Sequence, residues 1–130
     1  MPRGEKRPTI LVDVQEKLPL TRYFDPKLVQ VEVCHLETGD YALKGAGELL
    51  AIERKSLADC LNCCTHDRPR FMDQMRRLKN YPSRFLIVEA TREAIEAEAY
   101  RPNVRPSSVI NALLGIGVRW NVCVVYADGP

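Results

Sequence analysis

The chain has 130 residues, of which 45% are hydrophobic and 28% are charged. This length and composition are typical of one globular domain rather than of a disordered protein. No apolar run approaches the ~20 residues that a membrane helix needs, so we expect no membrane partner. The net charge of +2 does not by itself indicate a nucleic-acid-binding protein, although a local basic face can coexist with a nearly neutral whole.

The N-terminus and the cysteines bear on the cellular compartment. Residues 1–8 form a polar lead-in that lacks the hydrophobic segment of a secretory signal. The chain has five cysteines, and without a signal peptide we expect reduced thiols. Cys60 and Cys63 have no second pair at the spacing of a zinc site, which favours core packing. We therefore expect an intracellular protein, in the cytoplasm or nucleoid of a prokaryotic or viral system, or in a eukaryotic nucleus.

Four strands are predicted in the first half of the chain: residues 9–14, 28–36, 39–43 and 48–54. The first is rich in β-branched residues and is expected to be buried, with Asp13 near its C-terminal end. In the second, valines alternate with other residues, which is typical of a half-buried strand. The last two are separated by Gly45 and Gly47, which suit the turn of an antiparallel hairpin.

Helices and strands alternate in the second half, with strands predicted at residues 84–90 and 121–127. Four helices are expected to begin at capping residues: Ser56, Asp67, Thr91, and Ser107 or Ser108. The second has an apolar stripe at helical spacing, formed by Phe71, Met75 and Leu78. Gly115 and Gly117 are expected to end the fourth. The alternation predicts one α/β domain over residues 1–130, with a central mixed sheet flanked by helices.

The hairpin carries the residues of greatest chemical interest. Asp40 and Glu53 are 13 positions apart, so an antiparallel pairing would bring their carboxylates side by side. Lys55 is two residues past Glu53 and therefore points to the same face of a strand. Two carboxylates suit Mg²⁺, and a lysine can position or deprotonate the attacking water or offset charge in the transition state. The pattern thus fits metal-dependent phosphodiester hydrolysis, although a solvated strand end would also explain it.

A wider motif surrounds these residues. It reads GDx(n)ERKx(3)D and is formed by Gly39, Asp40, Glu53, Arg54, Lys55 and Asp59. This motif resembles the signature of the XPF-type structure-specific endonucleases. Residues 10–16 (ILVDVQE) resemble the opening strand of that family, which ends in D-x-R-E, with Gln15 in place of the arginine. Residues 67–78 (DRPRFMDQMRRL) resemble its R…Q…RL helix, and the similarity extends over nearly the whole chain.

The resemblance implies a restriction-endonuclease-like core and assigns roles within it. Asp40 and Glu53 would be ligands of Mg²⁺ or Mn²⁺, Lys55 would be the catalytic lysine, and Asp13 would be a further acid near the metal. Asp59 would be functional or would mainly cap the helix that begins at Ser56. Arg54 would be functional as well, through ion pairs with nearby acids or through contact with DNA. The departure at Gln15 removes a positive charge from this group of residues.

The substrate implied by the resemblance is branched DNA, such as flaps, forks or junctions, in repair or recombination. Arg68, Arg70 and Gln74 would contact that DNA, while an ordinary solvated helix face is the alternative. The family commonly adds a helix-hairpin-helix domain, and we expect none within these 130 residues. A homo- or heterodimer would use the apolar segment at residues 107–120, whose character core packing explains equally well. The rival function is a catalytically inactive DNA-binding or scaffolding subunit that pairs with an active nuclease, and a third is a nuclease acting on linear DNA ends or RNA.

Overall fold

In the computed structural model of the chain, the residues described are 7–17, 19–64, 68–97 and 105–127. The strands are β1 (Thr9–Asp13), β2 (Gln30–Cys34), β3 (Tyr41–Leu43), β4 (Leu50–Ser56), β5 (Ser83–Glu89) and β6 (Cys123–Tyr126). The helices are α1 (Leu57–Cys63), α2 (Arg68–Leu78), α3 (Arg92–Ala97) and α4 (Pro106–Arg119), and a short 3-10 helix spans Leu20–Tyr23. No helix in these ranges is long and apolar enough to cross a membrane.

The six strands form one mixed sheet in the order β2-β1-β3-β4-β5-β6. β3 is antiparallel to both of its neighbours, β1 and β4, whereas β4, β5 and β6 run parallel to one another. The predicted α/β fold and the predicted hairpin are therefore confirmed. Because β3 runs against β1 and β4, its beginning lies at the edge of the sheet where β1 and β4 end. Residues from three different parts of the chain meet at that edge.

The core lies between one face of the central strands and the helices. Ala51, Leu86 and Val88 contribute from β4 and β5. The predicted stripe of α2 is confirmed, since Phe71, Met75 and Leu78 are at most 1% exposed. Burial of each such side chain stabilises the fold by about 1.5–3 kcal/mol. The stripe therefore fixes the rotation of α2, and with it the helix face that is turned away from the core.

Two predicted helix starts are confirmed and one is wrong. Ser56 Oγ accepts a hydrogen bond from the backbone N–H of Asp59 (3.2 Å), and Thr91 Oγ1 accepts one from that of Ala94 (3.0 Å). The fourth helix begins at Pro106 after Arg105, not at Ser107 or Ser108, because proline is preorganised for the first turn of a helix. Asp67 lies outside the described residues.

The C-terminal end of α4 also differs from the prediction. Gly115 and Gly117 lie inside the helix, which continues to Arg119. The cost of a glycine inside a helix is only about 1 kcal/mol. Packing of the buried side chains Leu113 and Ile116 offsets this cost, so the glycines do not end the helix.

The edge strand β2 is more exposed than its alternating pattern predicts. Val31 and Val33 are 44% and 63% exposed, so the predicted half-burial is wrong for these two side chains. β2 is the outermost strand and pairs only with β1. The alternation identified the strand correctly, whereas its burial depends on what covers it.

Candidate functional site

Three carboxylates lie in a row across β1, β3 and β4. Val12 pairs with Tyr41, and Tyr41 pairs with Ile52. One residue further along, the N–H of Asp13 donates to the carbonyl of Asp40 (2.9 Å), and the N–H of Asp40 donates to that of Ile52 (2.7 Å). Continuing this register sets Asp13 opposite Asp40, and Asp40 opposite Glu53. Directly opposed residues of antiparallel strands share a face, so the three acids line one edge of the sheet together.

The backbone conformation at position 39 explains why a glycine precedes Asp40. Its φ is +84°, a conformation that residues with a side chain rarely adopt. A Cβ at this position would lie 2.9 Å from the carbonyl oxygen of Ile52. The glycine thus lets the chain approach β4 closely as it enters β3, which places Asp40 beside Glu53.

Asp40 and Glu53 form a close acidic pair. Oδ2 of Asp40 accepts a hydrogen bond from the backbone N–H of Arg54 (2.8 Å). Burial raises the pKa of Asp40, although the hydrogen bond from Arg54 and the interaction with the Glu53 carboxyl oppose the shift. Burial, followed by the charge of Asp40, raises the pKa of Glu53 to about 8, against the opposing charges of Lys55 and Arg77. Without a cation, the pair favours holding a proton.

Asp13 has partners of a different kind. Its Oδ1 accepts a hydrogen bond from the N–H of Leu36 (2.9 Å) and its Oδ2 accepts one from the N–H of Gln15 (3.2 Å). The side chain thus joins the segments that follow β1 and β2. In the described ranges, no three histidine, cysteine or acidic side chains are grouped so that they could hold a metal ion together. The role of Asp13 as a metal ligand stays a prediction.

The donor set at this edge nevertheless fits a hard divalent cation. Asp40 and Glu53 offer carboxylate oxygens, which Mg²⁺ and Mn²⁺ prefer, and Mg²⁺ commonly binds through one or two carboxylates while keeping several waters. A neighbouring cavity of about 500 Å³ leaves room for those waters. Gln74 lines the same cavity, and its Oε1 is buried without a hydrogen-bond partner among the described residues. The residues present therefore suit a hydrated cation and a polar ligand.

Helix α2 also contributes residues to the lining of the cavity. Arg70, Gln74 and Arg77 line it, and their spacing of four and then three residues puts them on one helix face. Lys55 also lines the cavity, and its Nζ lies 5.9 Å from the centre of the Phe71 ring. The lining of the cavity thus combines carboxylates, arginines, an amide and a lysine.

Two of the predicted substrate-binding residues line this cavity and one does not. Arg70 and Gln74 lie on its wall, whereas Arg68 lines a separate cavity of about 180 Å³ with Arg119 and Trp120. Arg77, which sequence reasoning left out of the site, takes part in it. Its spacing of seven residues from Arg70 was the signal, but a run of arginines does not show which side of the helix faces the acids.

The sequence left two roles open for each of Asp59 and Arg54, and their positions bear on both. Asp59 is exposed, lines the cavity and lies in the capped first turn of α1, so both predicted roles are compatible with its position. The side chain of Arg54 is only 12% exposed and forms ion pairs with Glu16 (2.9 Å) and Glu89. Sequence reasoning missed these acidic partners, which lie far from Arg54 along the chain.

Gln15 lies on the acidic side of the cavity. Gln15 and the neighbouring Lys17 are both exposed, and both line the cavity. A positive charge is thus present two residues beyond the position where the resemblance expects an arginine.

Comparisons with known proteins agree with this geometry. The ERCC4 domain matches residues 12–130. XPF from Aeropyrum pernix shares 25% identity with the chain at a TM-score of 0.75, over 95% of this chain and 58% of that one. A structure described as XPF from Aeropyrum pernix in complex with DNA gives 26% identity and a TM-score of 0.74, with the same coverage. The chain thus spans 58% of the length of these solved chains. A comparison with curated proteins gave no match.

The family matched by this chain consists of nucleases that bind DNA and typically use a divalent metal. The predicted resemblance is confirmed by the domain match and by the shared fold. The chain therefore belongs to the ERCC4-domain family and has the fold of an XPF-type nuclease domain.

Proposed function

We propose that this domain is a Mg²⁺- or Mn²⁺-dependent endonuclease that hydrolyses DNA phosphodiester bonds. The observation that carries the proposal is the cavity that Asp40, Glu53 and Lys55 share with Arg70 and Gln74. One cavity is thus lined by acids that suit a cation, by a lysine, and by groups that suit a phosphate. An inactive binding protein has no need for this combination.

Each residue has a distinct role in this proposal. Asp40 and Glu53 would hold the cation, which when bound polarises the scissile phosphate and lowers the pKa of a water molecule. Lys55 lies close to them and positions or deprotonates the attacking water, or offsets charge in the transition state. Asp13 adds a further carboxylate to the cavity lining. Its carboxylate also orders the segments after β1 and β2 by accepting hydrogen bonds from their backbone N–H groups.

The DNA backbone would lie along α2. Arg70 and Arg77 are exposed cations on the cavity wall, and arginine pairs well with phosphate. Gln74 is placed between them and offers its unpartnered Oε1 to a water or to a donor on the substrate. Lys17 adds a further positive charge to the lining of the cavity. Since phosphate contacts dominate such binding, it should weaken steeply with salt.

The proposed substrates are branched DNAs, namely flaps, forks or junctions, in repair or recombination. Support comes from membership of the family and from the similar fold of an XPF structure solved with DNA. A homo- or heterodimer through α4 is part of the same proposal. Leu114 and Val118 are 65% and 80% exposed, and their four-residue spacing puts them on one side of the helix. A second chain would bury this apolar surface.

The alternative is a catalytically inactive subunit that binds DNA and pairs with an active nuclease. Such a subunit could keep the basic face of α2, but it would not need the paired acids and the lysine. The presence of Asp40, Glu53 and Lys55 around one cavity favours the enzyme.

Cleavage of end-labelled flap, fork and linear DNA with Mg²⁺ or Mn²⁺ tests the proposal, in this chain and in longer versions that carry further domains. We expect metal-dependent cutting that is lost in Asp40→Asn and in Lys55→Ala, with circular dichroism showing that both variants fold. If the unmutated protein cuts none of the substrates in any version, the enzyme proposal is wrong. If cutting survives Asp40→Asn, the site assignment is wrong.

A further inference from the structure

We propose that Arg54 is a positioning residue that holds Asp40 and the end of β4 in place and does not contact DNA. The inference rests on the proposed nuclease function, since it assigns a role within the same site. It resolves the choice that the sequence leaves open for this arginine between ion pairing and DNA contact.

The backbone of Arg54 acts directly on the acidic pair. Its N–H donates a 2.8 Å hydrogen bond to Oδ2 of Asp40, and it is the residue between Glu53 and Lys55 along β4. The orientation of the Asp40 carboxylate therefore depends on where the backbone of Arg54 is held. A shift of the Arg54 backbone would therefore move Asp40, Glu53 and Lys55.

The side chain of Arg54 is held on the other side of the strand. Alternation along β4 points it away from the face that carries Glu53 and Lys55. It forms ion pairs there with Glu16 and Glu89, and the side chains of the two acids are 14% and 13% exposed. Glu16 follows β1 and Glu89 ends β5, so the guanidinium joins the segments on both sides of β4.

Tyr41 extends this network to β3. Its hydroxyl donates a 2.6 Å hydrogen bond to Oε2 of Glu16 and accepts one from the N–H of Leu20 (2.8 Å). Burial, followed by the hydrogen bond to Glu16, raises the pKa of Tyr41 to about 12, so the hydroxyl keeps its proton. The ion pairs and hydrogen bonds thus connect Arg54 of β4 to Glu89 of β5 and, through Glu16 after β1, to Tyr41 of β3.

This arrangement opposes a role in DNA binding. A phosphate would have to displace two carboxylates from a guanidinium that is largely shielded from water, which would leave two buried negative charges without their partner. Arg54 and Arg70 both line the cavity, but Arg70 is exposed there, whereas the side chain of Arg54 is only 12% exposed. Replacement of Arg70 should therefore weaken DNA binding, whereas replacement of Arg54 should not.

The test compares Arg54→Gln, Glu89→Gln and Arg70→Gln. The first readout is the salt dependence of binding to a fluorescent DNA duplex without metal. We expect Arg70→Gln to reduce the log–log slope by about 0.9, as the loss of one phosphate contact requires, and Arg54→Gln to leave it unchanged. A reduced slope in a folded Arg54→Gln protein would overturn the proposal.

The second readout is the affinity for Mn²⁺, measured by calorimetry. Residues that orient metal ligands typically contribute tenfold or more to affinity. We expect both Arg54→Gln and Glu89→Gln to weaken Mn²⁺ binding about tenfold and to lower kcat rather than change KM. Arg70→Gln should leave the affinity for Mn²⁺ unchanged. Glu89→Gln keeps the arginine and therefore remains informative if Arg54→Gln does not fold. Unchanged Mn²⁺ affinity and kcat in Glu89→Gln would overturn the proposal.

Failure of the proposed function has a different signature. If the unmutated protein binds Mn²⁺ but cuts no DNA in any version, including the longer ones, the nuclease proposal is wrong, while the slope and the metal affinity still decide the role of Arg54.

Discussion

Asp40, just before β3, lies opposite Glu53 of β4, and the charge of Asp40 adds to burial in raising the pKa of Glu53. Two largely buried carboxylates do not stabilise a fold by themselves, because burial disfavours their charged forms. A bound cation would remove that cost. We therefore expect the stability of the domain to depend on pH and on a divalent metal.

The first prediction concerns this dependence. Burial, followed by the charge of Asp40, raises the pKa of Glu53 from 4.5 to about 8. Between these values the folded protein holds a proton that the unfolded chain has released, so the free energy of unfolding should fall as the pH rises. Mg²⁺ binds the deprotonated pair, so it should raise the melting temperature more at about pH 8.5 than at about pH 6.

Thermal unfolding with and without Mg²⁺ across this range measures the effect, and Glu53→Gln is the control. This variant cannot ionise at position 53, so its stability should fall less with pH and should respond little to Mg²⁺. An equally large Mg²⁺ shift in Glu53→Gln would show that the cation binds elsewhere.

The second prediction concerns Lys55. Lys55→Ala should lower kcat about 10²–10³-fold, the typical cost of removing a group that stabilises developing charge, while DNA affinity changes little. Lys79→Ala is a matched control, since Lys79 is an exposed lysine beyond the end of α2 and is not part of the cavity lining. Single-turnover cleavage measures both variants. Equal rates in the two variants would remove Lys55 from the proposed chemistry.

The third prediction concerns the glycine that introduces Asp40. Gly39→Ala should destabilise the fold by about 1–3 kcal/mol, because a side chain at φ +84° is strained and its Cβ would press on the carbonyl oxygen of Ile52. Gly47→Ala is the control, since its Cβ would meet nothing within 4 Å, and its stability should change by no more than about 0.5 kcal/mol. Urea unfolding compares them, and similar losses in both would contradict the close approach at Gly39.

The fourth prediction separates two adjacent arginines on α2. Arg77 lines the cavity, whereas Arg76 is exposed and forms an ion pair with Asp73. Arg77→Ala should reduce the log–log salt slope of DNA binding by about 0.9, and Arg76→Ala should leave it nearly unchanged. Fluorescence anisotropy at several salt concentrations measures both slopes. The opposite ranking would mean that DNA approaches a different face of the helix.

Local patterns predicted much of the fold because the relevant contacts are close in sequence. The hairpin that brings Asp40 to Glu53 needs only a turn with suitable glycines, and the stripe of Phe71, Met75 and Leu78 needs only helical spacing. Pattern reasoning failed where the outcome depends on neighbours that are distant in the chain. Val31 and Val33 alternate like half-buried residues, but β2 is an edge strand.

The same distinction applies to the candidate site. The sequence by itself determined the fold class through its alternating elements and the family resemblance through its motif. It also determined the placement of Asp40, Glu53 and Lys55 together, which follows from short-range strand geometry. Only the tertiary structure decided that Arg77 rather than Arg68 shares their cavity and that Arg54 pairs with Glu16 and Glu89, which lie 38 and 35 residues away. The physical reason is that helix orientation and ion pairing are set by the packing of elements against one another, and no local spacing records that packing.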